Sequence, residues 1–70
     1  MKHKIAGYRI MLGLTQDDIA EKFAISKQAY RMKEIGKSAF NDREKIMFKN
    51  MLKDIFPNIT IDEIFFAHEV

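Results

Sequence analysis

Cysteine is absent from this 70-residue chain. That excludes a disulfide framework and a thiolate metal site, and it fits a reducing compartment such as the cytoplasm. Proline occurs once and glycine three times in a chain that is 47% hydrophobic. So few breakers in so apolar a sequence favour a compact, mostly helical domain. No apolar run approaches the ~20 residues of a membrane span, and the opening MKHKIAGYRI lacks a signal-peptide core. No segment alternates cleanly enough for a strand, and there is no repeat or low-complexity tract. Histidine is scarce too. His3 and His68 lie far apart near the ends, with no spaced carboxylate set beside either. No enzyme activity, catalytic residue, metal or cofactor is expected. The acidic pairs Asp17-Asp18 and Asp62-Glu63 are explained as first-turn acids that complement a helix dipole.

What is present supports one domain over residues 1–70. At this length the core is modest, so stability is expected to be thin or helped by a partner. The net charge of +2 is unevenly spread. Residues 1–37 carry eight Lys and Arg against four Asp and Glu; residues 38–70 carry four against six. The first part is therefore +4 and the second −2, which makes a polyanionic partner plausible on the basic side.

The stretch TQDDIAEKFAISKQAYRMKEIG, from Thr15 to Gly36, reads as two short helices joined by a tight turn. Apolar residues at Ile19, Ala20, Phe23, Ile25 and Tyr30 give the first of them one buried face. Thr15 with Asp18 forms a variant of the capping box, and Ser26 is placed to cap the second helix. Small Ala20 allows the two helices to cross closely. The second helix leaves Lys27, Gln28, Arg31 and Met32 outward. Cations and an amide on the open face of a short helix suit phosphates and base edges. The alternative is an ordinary helical hairpin with a solvated polar face.

Before that stretch, Ile5, Tyr8, Met11 and Leu12 share one face of a helix expected over about residues 4–12, which Gly13 ends. Arg9 lies beside this face, and its best partner is Glu34; the alternative is a solvated arginine. After it, Gly36 breaks the third helix. Asn41 with Glu44 caps a fourth, expected to carry Ile46, Met47, Met51, Leu52, Ile55 and Phe56 inward, with Phe48 toward its flank, until Pro57 stops it. Thr60 with Glu63 caps a short fifth helix over about Ile61 to Phe66. Ile59, Ile61, Ile64, Phe65 and Phe66 are more large apolar side chains than so short an element is expected to bury. Either they cap the core, or some meet a second subunit. The five methionines read as gap-fillers and a start, with Met32 the exception.

At RIMLGLTQDDIAEKFAISKQAYRMKEIGK the chain resembles the Cro and phage-repressor type of helix-turn-helix DNA-binding domain. The most specific residues are Gly13-Leu14-Thr15-Gln16, then Ile19-Ala20, then Glu34 and Gly36; NITIDEIF resembles the family's closing helix. The resemblance implies an all-α, compact, five-helix, lambda-repressor-like domain with its helix-turn-helix at about residues 16–35 and its third helix in the major groove. It implies that Gln16 bonds a backbone phosphate and braces the reading helix. Lys27, Gln28 and Met32 match base-facing positions, Lys37 and Ser38 match a loop that touches phosphate, and Arg9 and Glu34 match a structural ion pair. With Ser26 and Arg31, the expected DNA-contacting set is Gln16, Ser26, Lys27, Gln28, Arg31, Met32, Lys37 and Ser38. Three residues depart from the pattern. Ala24 stands where the turn usually has glycine, Tyr30 replaces a smaller aliphatic, and Lys33 replaces a large apolar side chain. Lys33 is expected to lay its stem on the core and aim its ammonium at a phosphate.

The function this implies is a small sequence-specific transcriptional regulator, a phage or prophage Cro-like repressor acting in a bacterial host's cytoplasm and nucleoid-associated when bound. Its partner is a double-stranded DNA operator, with no membrane or small-molecule ligand. A weak homodimer, strengthened on DNA, is expected through Ile59, Ile61, Phe65 and Phe66. With no second domain expected, a ligand sensor has no place. An alternative from another class is a protein-interaction module, anti-repressor or antitoxin-like, that uses the apolar C-terminal end.

Overall fold

A computed structural model describes residues 4–66. The chain there forms α1 (Lys4–Met11), α2 (Gln16–Phe23), α3 (Lys27–Glu34), α4 (Asp42–Leu52) and α5 (Asp62–Phe66), the last wound as a π-type turn. No strand is present among the described residues. No helix among them is long and apolar enough to cross a membrane.

Local chemistry sets most of the boundaries. Thr15 Oγ1 accepts from the Asp18 N–H at 3.1 Å while Asp18 Oδ2 accepts from the Thr15 N–H at 2.9 Å. Asn41 and Glu44 exchange the same pair of bonds at 2.8 and 2.9 Å, and Thr60 and Glu63 do so at 3.1 and 3.0 Å. Ser26 Oγ accepts from the Ala29 N–H at 3.0 Å. Each cap satisfies amides that the helix leaves unpaired at its start.

The first three helices end alike. The amides of Leu14, Ile25 and Lys37 reach back to the carbonyls of Arg9, Ala20 and Met32 at 3.2, 3.0 and 2.9 Å. Those of Gly13, Ala24 and Gly36 close an inner bond to Ile10, Glu21 and Lys33. This double bond needs a left-handed residue between. Gly13 (φ 74) and Gly36 (φ 91) supply it without strain, whereas Ala24 takes φ 61 against its Cβ.

Ile19, Ala20, Phe23, Tyr30, Phe48, Leu52, Ile59 and Ile64 form the buried core, with Ile5, Tyr8, Leu12, Leu14, Ile25, Phe40, Met47, Met51, Phe56 and Phe65 packed around it. Aromatic rings run through it continuously. Phe56 meets Tyr8, Tyr8 meets Phe48, Phe48 meets Phe65, and Phe65 meets Phe40, which touches both Phe23 and Tyr30. Centroid separations of 5.1–6.5 Å and mostly edge-on geometry suit the ring quadrupoles.

Three expectations are corrected. Met11 stays outside the core, 57% exposed: Ile5, Tyr8 and Leu12, at i, i+3 and i+7, make the packed stripe, and Met11 falls beside it. The fourth helix stops at Leu52, not near Phe56. The Lys53 amide switches to the Asn50 carbonyl, and the tighter turn carries Phe56 onto Tyr8 ahead of Pro57. The buried stripe of α4 runs Glu44, Phe48 and Leu52 at steps of four, so Phe48 is fully buried between Tyr8 and Phe65, while Ile46 and, beyond the helix, Ile55 are exposed.

Candidate functional site

Glu34 is the anchor of α3. Its carboxylate is almost wholly buried and accepts from Arg9 Nε at 2.7 Å, Gln16 Nε2 at 2.7 Å and Tyr30 Oη at 2.9 Å. Arg9 Nη1 also donates to the Leu14 carbonyl at 3.0 Å, tying down the α1–α2 loop. One carboxylate thus joins α1, the start of α2 and the inner face of α3. Burial alone pushes the Glu34 carboxyl up, but the hydrogen bonds from Arg9, Gln16 and Tyr30 outweigh it and hold the group below its ordinary value. The bond to Glu34 raises the Arg9 guanidinium in turn, and burial pushes the Tyr30 phenol up. At neutral pH Glu34 and Arg9 therefore stay charged and Tyr30 stays a neutral donor, as the network needs.

The far end of α3 is held by a second buried carboxylate. Lys33 Nζ donates to both oxygens of Glu44 at 2.6 and 2.7 Å, and Glu44 is 1% exposed. Lys33 is therefore corrected: its ammonium is committed to α4 and is not aimed at a phosphate. Among the described residues no buried side-chain nitrogen or oxygen lacks a hydrogen-bond partner.

With Tyr30, Lys33 and Glu34 turned inward, Lys27, Gln28 and Arg31 stand exposed on the other side of α3. They are one to four residues apart and share one face. Met32 is half-buried beside them. Lys37 and Ser38 follow Gly36, both exposed, with their amides on the Met32 carbonyl at 2.9 and 3.2 Å. Ser26 is exposed at the start of α3, its oxygen already serving as the cap. Gln16 lies at the first turn of α2, and Lys27 Nζ reaches 4.0 Å from Asp17 Oδ2 there. An open hollow between these helices is lined by Arg9, Leu14, Thr15, Gln16, Asp17 and Lys27. Of the eight residues singled out from the sequence, only Met32 and Gln16 are partly covered.

The C-terminal set divides. Ile59 and Phe65 are corrected as interface residues: Ile59 is 9% exposed in the core, and Phe65 packs on Phe40 and Phe48. The wide π-type turn rotates less per residue than an α-helix, so Ile64 and Phe65 both face inward and Phe66 does not. Phe66 is 47% exposed with Lys45 Nζ 4.4 Å over its ring, and Ile61 is half-buried.

The sequence reading missed three contributors. Tyr30 as a donor to Glu34 was readable, since a tyrosine one helical turn before a glutamate can reach it. The Lys33–Glu44 pair spans a loop, and Phe40 joins rings from three other segments; neither leaves a local signal. His3 and His68 lie outside the described residues. Among the described residues no three His, Cys, Asp or Glu side chains are grouped to hold a metal ion. Set against known proteins, the chain matches no family model, no curated protein and no solved structure.

Proposed function

We propose that this protein is a small sequence-specific DNA-binding transcriptional regulator, similar in kind to the Cro and phage repressors and acting in a bacterial cytoplasm. In this reading the lambda-repressor-like arrangement of helices places α3 in the major groove of an operator. The observation that carries it is the division of α3 into two faces. Its inward face is fixed at both ends by buried carboxylate networks, Glu34 to α1 and α2, Glu44 to α4. Its outward face offers Lys27, Gln28 and Arg31 to solvent. A reading helix needs this combination: side chains free to meet bases, on a backbone that does not shift when they do.

Roles follow from chemistry. Gln28 can donate and accept together and so pairs with adenine N6 and N7. Lys27, Arg31 and Lys37 act through charge on phosphates. The remaining amide hydrogen of Gln16 and the hydroxyls of Ser26 and Ser38 donate to backbone oxygens, and Met32 offers apolar contact to a thymine methyl. Phe66, with Ile61, is the surface for weak pairing of two copies on DNA.

Binding of a random-sequence duplex, followed across salt concentrations, tests this reading. Three phosphate-contacting cations give a log–log slope near about −3, and removing Lys27, Arg31 or Lys37 singly flattens it by about one unit. A chain that ignores duplex DNA, or whose binding is insensitive to salt, is not a DNA-binding regulator. A protein-interaction module behaves in that second way.

A further inference from the structure

Asp17 stands out on the proposed DNA-facing side. It is a carboxylate 70% exposed on the first turn of α2, at the edge of the hollow shared with Arg9, Gln16 and Lys27. Two other acids nearby are occupied: Asp18 closes the capping box with Thr15, and Glu34 is buried under three donors. Asp17 caps nothing, and its one ion-pair partner among the described residues is Lys27, whose Nζ lies 4.0 Å from its oxygen. That distance is an exposed ion pair that water and salt readily open. Lys27 is thus the cation of the α3 face that already has an internal counterion.

We propose that Asp17 is an electrostatic restraint on DNA binding: it competes with phosphate for Lys27 and repels the backbone that approaches the start of α2. The inference rests on the DNA-binding reading above and adds a negative element to it. When a phosphate nears the hollow, Lys27 must leave Asp17, and the uncompensated carboxylate then faces a second anion. Both steps oppose binding irrespective of sequence. The contact that discriminates, Gln28 on a base edge, is untouched. A protein built this way holds random DNA weakly, and its occupancy depends on the base contacts of a matched site.

The test compares Asp17→Asn with the parent on a random-sequence duplex at several salt concentrations. Asparagine keeps the size and polarity of the side chain and removes its charge. Asp17→Asn is expected to tighten binding about three- to tenfold at low salt and to steepen the salt slope by a fraction of a unit, because no neighbouring carboxylate then offsets the charge that Lys27 brings to the phosphates. Asp54→Asn makes the same change in net charge in the turn after α4, and Asp54 forms no ion pair with α2 or α3 among the described residues. It is expected to alter binding less than twofold. Lys27→Ala should also weaken binding more in the Asp17→Asn background than in the parent. Two results overturn the proposal while leaving the DNA-binding reading standing: a parent that binds DNA with an unchanged affinity in Asp17→Asn, or equal gains from Asp17→Asn and Asp54→Asn. A parent and an Asp17→Asn variant that both fail to bind overturn the proposal and that reading together.

Discussion

Ala24 carries the clearest residue-scale cost in the chain. Its left-handed backbone is forced by the double bond that ends α2, and the side chain is exposed, so nothing is gained by the methyl group. Ala24→Gly removes strain of about 1–2 kcal/mol but loosens the unfolded chain, for a net gain of about 0.5–1 kcal/mol in chemical denaturation. A loss of stability on that substitution means that the turn does not need a positive φ. Glu34 is the opposite case, a residue whose removal is costly. Glu34→Ala leaves the Arg9 guanidinium, whose side chain is 15% exposed, without its counterion, at a cost of about 3 kcal/mol. Replacing Arg9 and Glu34 together by apolar residues should cost less than the two single losses added, and additivity in that cycle contradicts the pairing. These positions also show what was readable. The caps Thr15, Ser26, Asn41 and Thr60 act within three residues and leave a local pattern, so reading and structure agree on them. The strain at Ala24 was readable as a departure from glycine. The commitment of Lys33 to Glu44 was not, because the partner lies eleven positions away across a loop and nothing near Lys33 distinguishes an ammonium aimed outward from one aimed at α4.

At the scale of elements, α3 and α5 show why position in a periodic pattern is an incomplete guide. In α3, helical spacing alone separates Lys27, Gln28 and Arg31 from Tyr30 and Glu34, and the structure keeps that division. After α4 and in α5 the geometry departs from an α-helix, and the faces expected there rotate with it. The tighter turn at Lys53 ends α4 early, and the wider winding of α5 turns both Ile64 and Phe65 inward. Phe65 and Phe66 are adjacent in sequence yet have separate roles. Phe65→Asp places a charge against Phe40 and Phe48 and should lower stability by about 3 kcal/mol or more, seen as a large fall in melting temperature. Phe66→Asp should leave the melting temperature within a few degrees of the parent's while making binding to a two-half-site duplex weaker and non-cooperative. Parent-like binding by a folded Phe66→Asp variant rules out pairing through this end.

For the whole molecule, a domain of 29 × 27 × 21 Å gains limited stability from its core and relies on charge networks to orient what the core does not fix. That has a pH consequence. The Glu34 carboxyl lies below its ordinary 4.5 and the Asp18 carboxyl below its ordinary 3.8, the latter through bonds from the Thr15 amide and hydroxyl. Their stabilisation is complete above those ordinary values and is lost as pH falls through the lowered ones. The melting temperature should therefore stay level from neutral pH to about 5 and fall below about 4.5, less steeply in Glu34→Gln. A molecule this size spans less than one turn of DNA, about 34–36 Å, so under the proposed function one copy would cover a single half-site. Selection of bound duplexes from a random pool, run in parallel on the parent and on Gln28→Ala, measures groove reading directly. The parent should enrich an inverted repeat with half-site centres about 10 base pairs apart, and Gln28→Ala should lose preference at one position in each half-site. A pool that the parent leaves unenriched would contradict sequence-specific reading by α3.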